Sequence, residues 1–237
     1  MRTRRSVYLL AGLLCDARVW TGVAAALEED HEVNILSFED HNSIGAMAET
    51  VLRHAGPHSV VIGHSMGGRV ALEVYRRAPE RLAALGLLNT GVHARREGER
   101  ESRERLVDLA RQSGMTALAE AWLPPMMGAP PARVAALWPA LVAMVEQQSV
   151  QSFAGQIQAL LDRPDAESVL PTVMIPTFVS SATADRWSPI AQHEAMCLQL
   201  AQPTFVAIAD AGHMAPAEAP QAVAQALQDW LRNLPSA

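Results

Sequence analysis

Residues 59–68 read Ser-Val-Val-Ile-Gly-His-Ser-Met-Gly-Gly, and the fold of the chain can be worked outward from them. Ser59 to Ile62 is a short β-branched run without charge, the composition of a strand buried on both faces. After Gly68, the apolar positions Val70, Leu72, Val74 and Tyr75 begin a helical pattern. Between strand and helix, Gly63 and Gly67 flank Ser65 in a G-x-S-x-G turn, tight enough that a Cβ at either flank would strike neighbouring backbone. Such a turn lifts the serine hydroxyl above the sheet. It also aims the amino end of the next helix, with its unpaired N–H groups and positive dipole end, at the same point. Ser65 is therefore a candidate nucleophile.

Five further apolar runs resemble the first in length: Val7–Leu10, Val33–Leu36, Leu85–Leu88, Thr177–Val179 and Thr204–Ile208. Helical patterns separate them. Ser43 is the expected N-cap of a helix carrying Ile44, Met47, Val51 and Leu52 on one face. Ser188-Pro189 is read as an N-cap followed by proline at the first helical position. Val223, Leu227, Trp230 and Leu231 mark a last helix within 222–234. Uniformly apolar strands alternating with helices predict an α/β fold with a mostly parallel, doubly wound sheet covered on both faces.

One segment, 92–169, breaks the alternation and carries only helical patterns with proline and glycine punctuation. It is expected as a helical cap inserted after the fourth strand, over the sheet edge where ligands bind in open α/β folds. The core is then 1–91 with 170–237. Pro139 is expected to kink or split a cap helix, and Val150, Phe153, Ile157 and Leu160 to line one face of another. Within Arg95–Arg105, Glu99 with Arg103 and Glu101 with Arg105 stand at i,i+4. A solvated helix laced with weak pairs is the preferred reading, and a clamp for an anionic substrate the other.

A serine hydroxyl needs a base within hydrogen-bond reach. Of the eight histidines, His213 alone follows a predicted strand on the edge where Ser65 emerges. His31, His41, His54, His58 and His193 are expected at the surface or on helix flanks, and His64 to pack behind the elbow. Gly56-Pro57 rules out a helical zinc pair of His54 and His58. The base in turn needs an acceptor to fix its tautomer. Asp185, just beyond the fifth strand, is preferred over Asp210; Asn89, after the fourth, has no carboxylate to offer. The backbone amides of Met66 and Leu13 are the expected oxyanion donors. Trp122, Met126, Met127, Trp138 and Trp187 are candidates for an apolar pocket.

Composition narrows the chemistry. Half of the 237 residues are hydrophobic (49%) and 19% are charged, a folding composition. The net charge of −6 argues against nucleic-acid binding. All 19 basic residues are arginine, which excludes a Schiff-base or P-loop lysine. Cys15 and Cys197 cannot form a disulfide framework, and no metal or cofactor motif is present. Arg2, Arg4, Arg5, the run Val7–Leu14 and Cys15 imitate a lipoprotein signal, but Leu13 and Leu14 stand where processing wants small residues. No stretch approaches the ~20 apolar residues of a membrane span, so a cytoplasmic protein is expected. The small-molecule substrate expected for it comes from the strand-end chemistry of Ser65, Asp185 and His213.

From Val7 to Leu234 the chain resembles the α/β-hydrolase superfamily. The resemblance rests on the first-strand loop ending at Trp20, the Gly63–Gly68 elbow, Ala78–Leu82, Ile175–Thr177, Asp185-x-x-x-Pro189, and Gly212-His213 with Glu218 and Pro220. It implies a Ser65–Asp185–His213 triad and a substrate-shaping cap. The usual His-Gly after the first strand is Ala11-Gly12 here, Ala182 replaces a common glycine, and the chain begins at what would be the family's third strand, a minimal core. The expected activity is cofactor-free hydrolysis of a small ester, thioester or lactone. Carbon–carbon bond hydrolysis, carrier-bound acyl esters (were Arg95–Arg111 a one-sided basic surface) and a non-catalytic ligand receptor are the alternatives.

Overall fold

All six apolar runs are strands. The computed structural model describes residues 4–235 and places them as β1 (Ser6–Leu10), β2 (Glu32–Leu36), β3 (Ser59–His64), β4 (Leu82–Leu88), β5 (Thr177–Ala182) and β6 (Pro203–Ile208). The helices are α1 (Thr21–Leu27), α2 (Ile44–His54), α3 (Met66–Arg77), α4 (Glu99–Trp122), α5 (Pro131–Glu146), α6 (Val150–Leu161), α7 (Ile190–Cys197), α8 (Ala215–Glu218) and α9 (Pro220–Arg232). The sheet order is β2-β1-β3-β4-β5-β6 and every neighbouring pair is parallel.

The order reverses at β1. The chain steps outward to β2, then returns across β1 to build β3 through β6 on the other side. Connections from β1 and β3 therefore leave in opposite directions and open a crevice at their carboxyl ends. The register pairs Leu10 with Gly63 there, so the loop after β1 and the turn after β3 face each other. Val7, Leu9, Val60, Ile62, Leu85 and Leu87 are fully buried, as strands covered on both faces must be.

Local signals explain most boundaries. Ser43 Oγ accepts from the Ala46 amide at 3.2 Å and starts α2. Three expectations need correction. α7 begins at Ile190 with Pro189 in the cap position, because the Ser188 amide is drawn back to Asp185. α5 runs through Pro139 unsplit; Ala135, whose carbonyl loses its helical partner, is exposed, so water can satisfy it. His31 and His193 are buried, not superficial: His193 Nε2 accepts from the Thr90 amide at 3.0 Å while Nδ1 meets the Pro189 carbonyl.

The insert between β4 and β5 holds α4, α5 and α6 and no strand. α4 packs on both of the others and is broken at Gly114, whose φ of 83° only glycine adopts readily. The signal-like run at the amino terminus is β1 with its following loop, and Cys15 is buried; Met1 to Thr3 and with them Arg2 lie outside the described residues. Arg5 donates to the Pro235 carbonyl at 2.6 Å and so joins the two ends of the chain. No helix among the described residues is long and apolar enough to cross a membrane.

Candidate active site

Ser65 sits at φ 54° and ψ −116°, a backbone conformation costing on the order of 1–3 kcal/mol for a residue with a side chain. The surroundings hold it there. Its amide donates to the Leu88 carbonyl at 2.9 Å, and its own carbonyl accepts from Thr90 Oγ1 at 2.6 Å. A Cβ on Gly63 would overlap the Gly67 carbonyl, and one on Gly67 the Leu10 carbonyl. The two glycines are thus a steric requirement of bringing α3 this close to β1 and β3.

Three side chains from distant segments meet above this turn. Ser65 Oγ lies 2.8 Å from His213 Nε2, and His213 Nδ1 lies 3.0 Å from Asp185 Oδ2. Asp185 is buried, and every other acceptor direction is filled. Its Oδ1 accepts the amides of Trp187 (2.8 Å) and Ser188 (2.9 Å), and its Oδ2 accepts Asn89 Nδ2 at 2.8 Å. Burial alone would raise the Asp185 pKa. The hydrogen bond and charge of His213, with Asn89 and the Ser188 amide, outweigh burial and hold it below the usual carboxylate range. Asp210 is exposed in a turn, its amide bonded to Thr183 Oγ1. Asn89 has a part that sequence reasoning missed; its amide nitrogen braces the carboxylate that it cannot replace.

The histidine loop is fixed from three sides. The His213 amide donates to the Met126 carbonyl at 2.8 Å, and the His213 carbonyl accepts from His64 Nε2 at 2.7 Å. Glu218, fully buried, accepts the amides of Gly212 (2.9 Å), Gly128 (2.7 Å) and Ala129 (2.5 Å). Burial, then the charge of His213, push the His64 pKa down to about 3, so His64 stays neutral. It braces and does not titrate near neutrality. Its ring also packs edge-on against buried Trp20.

Across the crevice, the amides of Leu13 and Met66 donate to no protein acceptor among the described residues. The loop carrying Leu13 is held by α6, where Gln156 accepts the Leu14 amide at 2.9 Å and donates to the Phe38 carbonyl at 3.1 Å. A cavity of about 330 Å³ opens over Ser65 and His213, within the range of small-ligand sites. Trp122, Met126 and Trp187 line it, as do Leu13 and Met66. Met127 and Trp138 do not. The Met127 amide turns back to Pro124, leaving its side chain half-buried against the core. Trp138 faces a separate surface depression beside Pro131 and Pro139.

The arginine-rich stretch divides in two. Arg100 pairs with Glu104 and Arg111 with Asp108 at the surface, so Arg95–Arg111 is not a one-sided basic face. Arg96 and Arg103, by contrast, line the cavity, together with Arg69 of α3. The Glu99–Arg103 pair forms at 2.9 Å. No group of three or more histidine, cysteine, aspartate or glutamate side chains among the described residues could hold a metal ion.

A model of the alpha/beta hydrolase family matches residues 7–226. An esterase from Thermogutta terrifontis, solved with malate bound, superposes with a TM-score of 0.88 at 27% identity, covering 99% of this chain and 92% of that one. An enol-lactonase from Burkholderia xenovorans LB400 gives 0.86 at 22% identity, covering 97% and 92%. An esterase from Exiguobacterium antarcticum gives 0.82 at 16% identity, covering 98% and 94%. The last two likenesses speak for the fold alone. No curated protein matches the sequence.

Proposed function

Because the chain belongs to the α/β-hydrolase family, we propose that it is a serine hydrolase, cleaving a small ester, thioester or lactone through an acyl-enzyme on Ser65. The observation that carries this reading is the unbroken relay from Ser65 Oγ through His213 to Asp185, at 2.8 and 3.0 Å. The likeness to the Thermogutta terrifontis esterase supports it.

His213 Nδ1–H donates to Asp185, which leaves Nε2 to accept from the serine hydroxyl. As Oγ bonds to the substrate carbonyl carbon, its proton passes to Nε2 and the carbonyl π pair moves onto oxygen. The Leu13 and Met66 amides hold that oxyanion; a preorganised donor of this kind is worth ~10²–10³ in rate. The pair returns to carbon, the alkoxide or thiolate departs, and Nε2 gives it the proton. Water then repeats the cycle on the acyl-enzyme, losing its proton to Nε2, and Ser65 recovers its own as the acid leaves. Asp185 stays ionised throughout and stabilises the transient imidazolium. Residues 92–169 act as a cap that shapes the substrate.

Ser65→Ala is expected to remove turnover of p-nitrophenyl butyrate by ~10⁴–10⁶, since triad members act as a unit. A fluorophosphonate probe should label the native protein and not the variant. Full turnover in Ser65→Ala would reject the assignment, and a folded native protein inert to the probe would favour a receptor without catalysis.

A further inference from the structure

Arg69, in the first turn of α3, lines the same cavity as Ser65. Yet it is only 8% exposed. Nη2 donates to the His93 carbonyl at 3.2 Å, while Nη1 is buried with no partner. A buried guanidinium with no carboxylate bonded to it and a nitrogen left unpaired is costly, and the fold must have a reason to keep it.

Glu99, the carboxylate whose charge reaches Arg69, is spent elsewhere. Both of its oxygens are taken by Arg163 (2.7 and 2.8 Å), one also by Arg103 Nε (2.9 Å) and the other by the Arg96 amide (3.0 Å). Four guanidiniums, those of Arg69, Arg96, Arg103 and Arg163, thus gather around a carboxylate already fully bonded. The other carboxylate on the cavity wall, Glu97, is exposed. Burial, then the charges of Arg163, Arg103 and Arg96 against Glu99 alone, lower the Arg69 pKa to about 9, which leaves it cationic at neutral pH. This positive wall belongs to a protein of net charge −6, so it is a local construction and not a general basic surface. Trp122, Met126, Leu106 and Leu160 supply apolar lining to the same cavity.

We infer that the cationic wall is a carboxylate subsite: the substrate carries an anionic carboxylate, held by Arg69 with Arg96 and Arg103, while its scissile carbonyl meets Ser65. The planar guanidinium fork suits a carboxylate, whose two oxygens it can take side by side. The inference rests on the serine-hydrolase reading for the position of the scissile bond and extends it to the substrate's class.

The test compares matched substrates differing in charge. One pair, p-nitrophenyl monoglutarate against p-nitrophenyl pentanoate, places the carboxylate on the acyl side. The other, 4-carboxyphenyl butyrate against phenyl butyrate, places it on the alcohol side. In at least one pair kcat/KM should favour the anionic ester by about tenfold or more. Arg69→Gln should lower that ratio at least tenfold, and Arg69→Lys should recover part of it. Should Arg69→Gln fail to fold, Arg96→Gln, at an exposed position, should lower the ratio about threefold. Glutarate should compete with the neutral ester, with its Ki raised at least tenfold by Arg69→Gln; this readout holds whichever residue performs the attack. No preference in either pair, or equal losses on both members, would overturn the subsite while leaving Ser65 in place. Full turnover in Ser65→Ala would instead remove the nucleophile and leave the glutarate result to decide the subsite.

Discussion

The proposed catalytic corner and the cationic wall share one cavity but are held by different means. At the corner, Ser65, His213 and Asp185 are positioned by backbone: a strained elbow clamped by Leu88 and Thr90, a histidine loop pinned at both its amide and carbonyl, and a carboxylate filled by amides. The side-chain relay from Ser65 through His213 to Asp185 is closed by protein partners, while the Leu13 and Met66 amides have no acceptor among the described residues. On the wall, Arg96 reaches the cavity from an exposed loop, and Arg69 is buried with a terminal nitrogen unpaired. The three side chains of the corner are satisfied without a ligand, and the guanidinium of Arg69 on the wall is not. Preorganised dipoles accelerate a reaction because they need no rearrangement when charge develops, whereas a recognition surface gains by completing its contacts only when the right group arrives.

The comparison can be pressed from the corner outward. The largest effect is expected after Ser65→Ala itself from Asp185→Asn, which can present an N–H to His213 Nδ1 and so turn the imidazole to the wrong tautomer. kcat for p-nitrophenyl butyrate should fall by ~10³–10⁴ with the fold intact by circular dichroism. A loss under tenfold would make Asp185 a bystander. Next comes Glu218→Ala, which leaves the buried Gly212 amide and the half-buried Gly128 and Ala129 amides without an acceptor. At ~1–3 kcal/mol for a buried amide and less where water can reach, the loss is about 3 kcal/mol, or a Tm lower by about 6–12 °C in calorimetry. An unchanged Tm would mean that water replaces the carboxylate there.

The smallest effect concerns pH. An unfolded chain protonates His64 near 6.5, but the folded protein resists until about 3. The stability this group contributes is therefore whole above pH 6.5 and is lost as pH falls toward 3, by up to ~1.4 kcal/mol per unit. Whatever its absolute Tm, His64→Gln should flatten the fall of stability between pH 6.5 and 4.5 by about 2–3 kcal/mol. His193, also held neutral by burial, keeps the profile from becoming level. An unaltered slope would show that His64 carries its proton in the folded state.

How much of this was legible beforehand follows the same division. The sheet could be read because buried parallel strands must be apolar along their whole length, and Ser59–Ile62 or Leu85–Leu88 have few other uses. The elbow could be read because its glycines answer a steric demand. The partners of the triad were harder. His193 looks superficial in sequence, yet the loop after β4 buries it; Asn89 was dismissed for lacking a carboxylate, although an amide that holds a carboxylate is as informative as the acid. Strand-end position together with a side chain tolerant of positive φ, which Asn89 adopts at 47°, was the available signal. The arginine wall left half a trace: Arg96 and Arg103 lie in Arg95–Arg105, where an anionic-substrate clamp is the less favoured reading, whereas Arg69 and Arg163 come from separate stretches. Periodicity reports a residue's face within its own helix, not the charge that a distant segment brings to it. Trp138, a pocket candidate only by its aromatic character, shows the converse: its helix presents it to a separate surface depression.

Glu218 has a mechanical consequence. One carboxylate grips an amide of the base's loop and two of the overhanging layer, so the cover is riveted to the platform beside His213. Any swing of the cover that admits a bulkier guest must pivot about that rivet, gaping widest along the far rim.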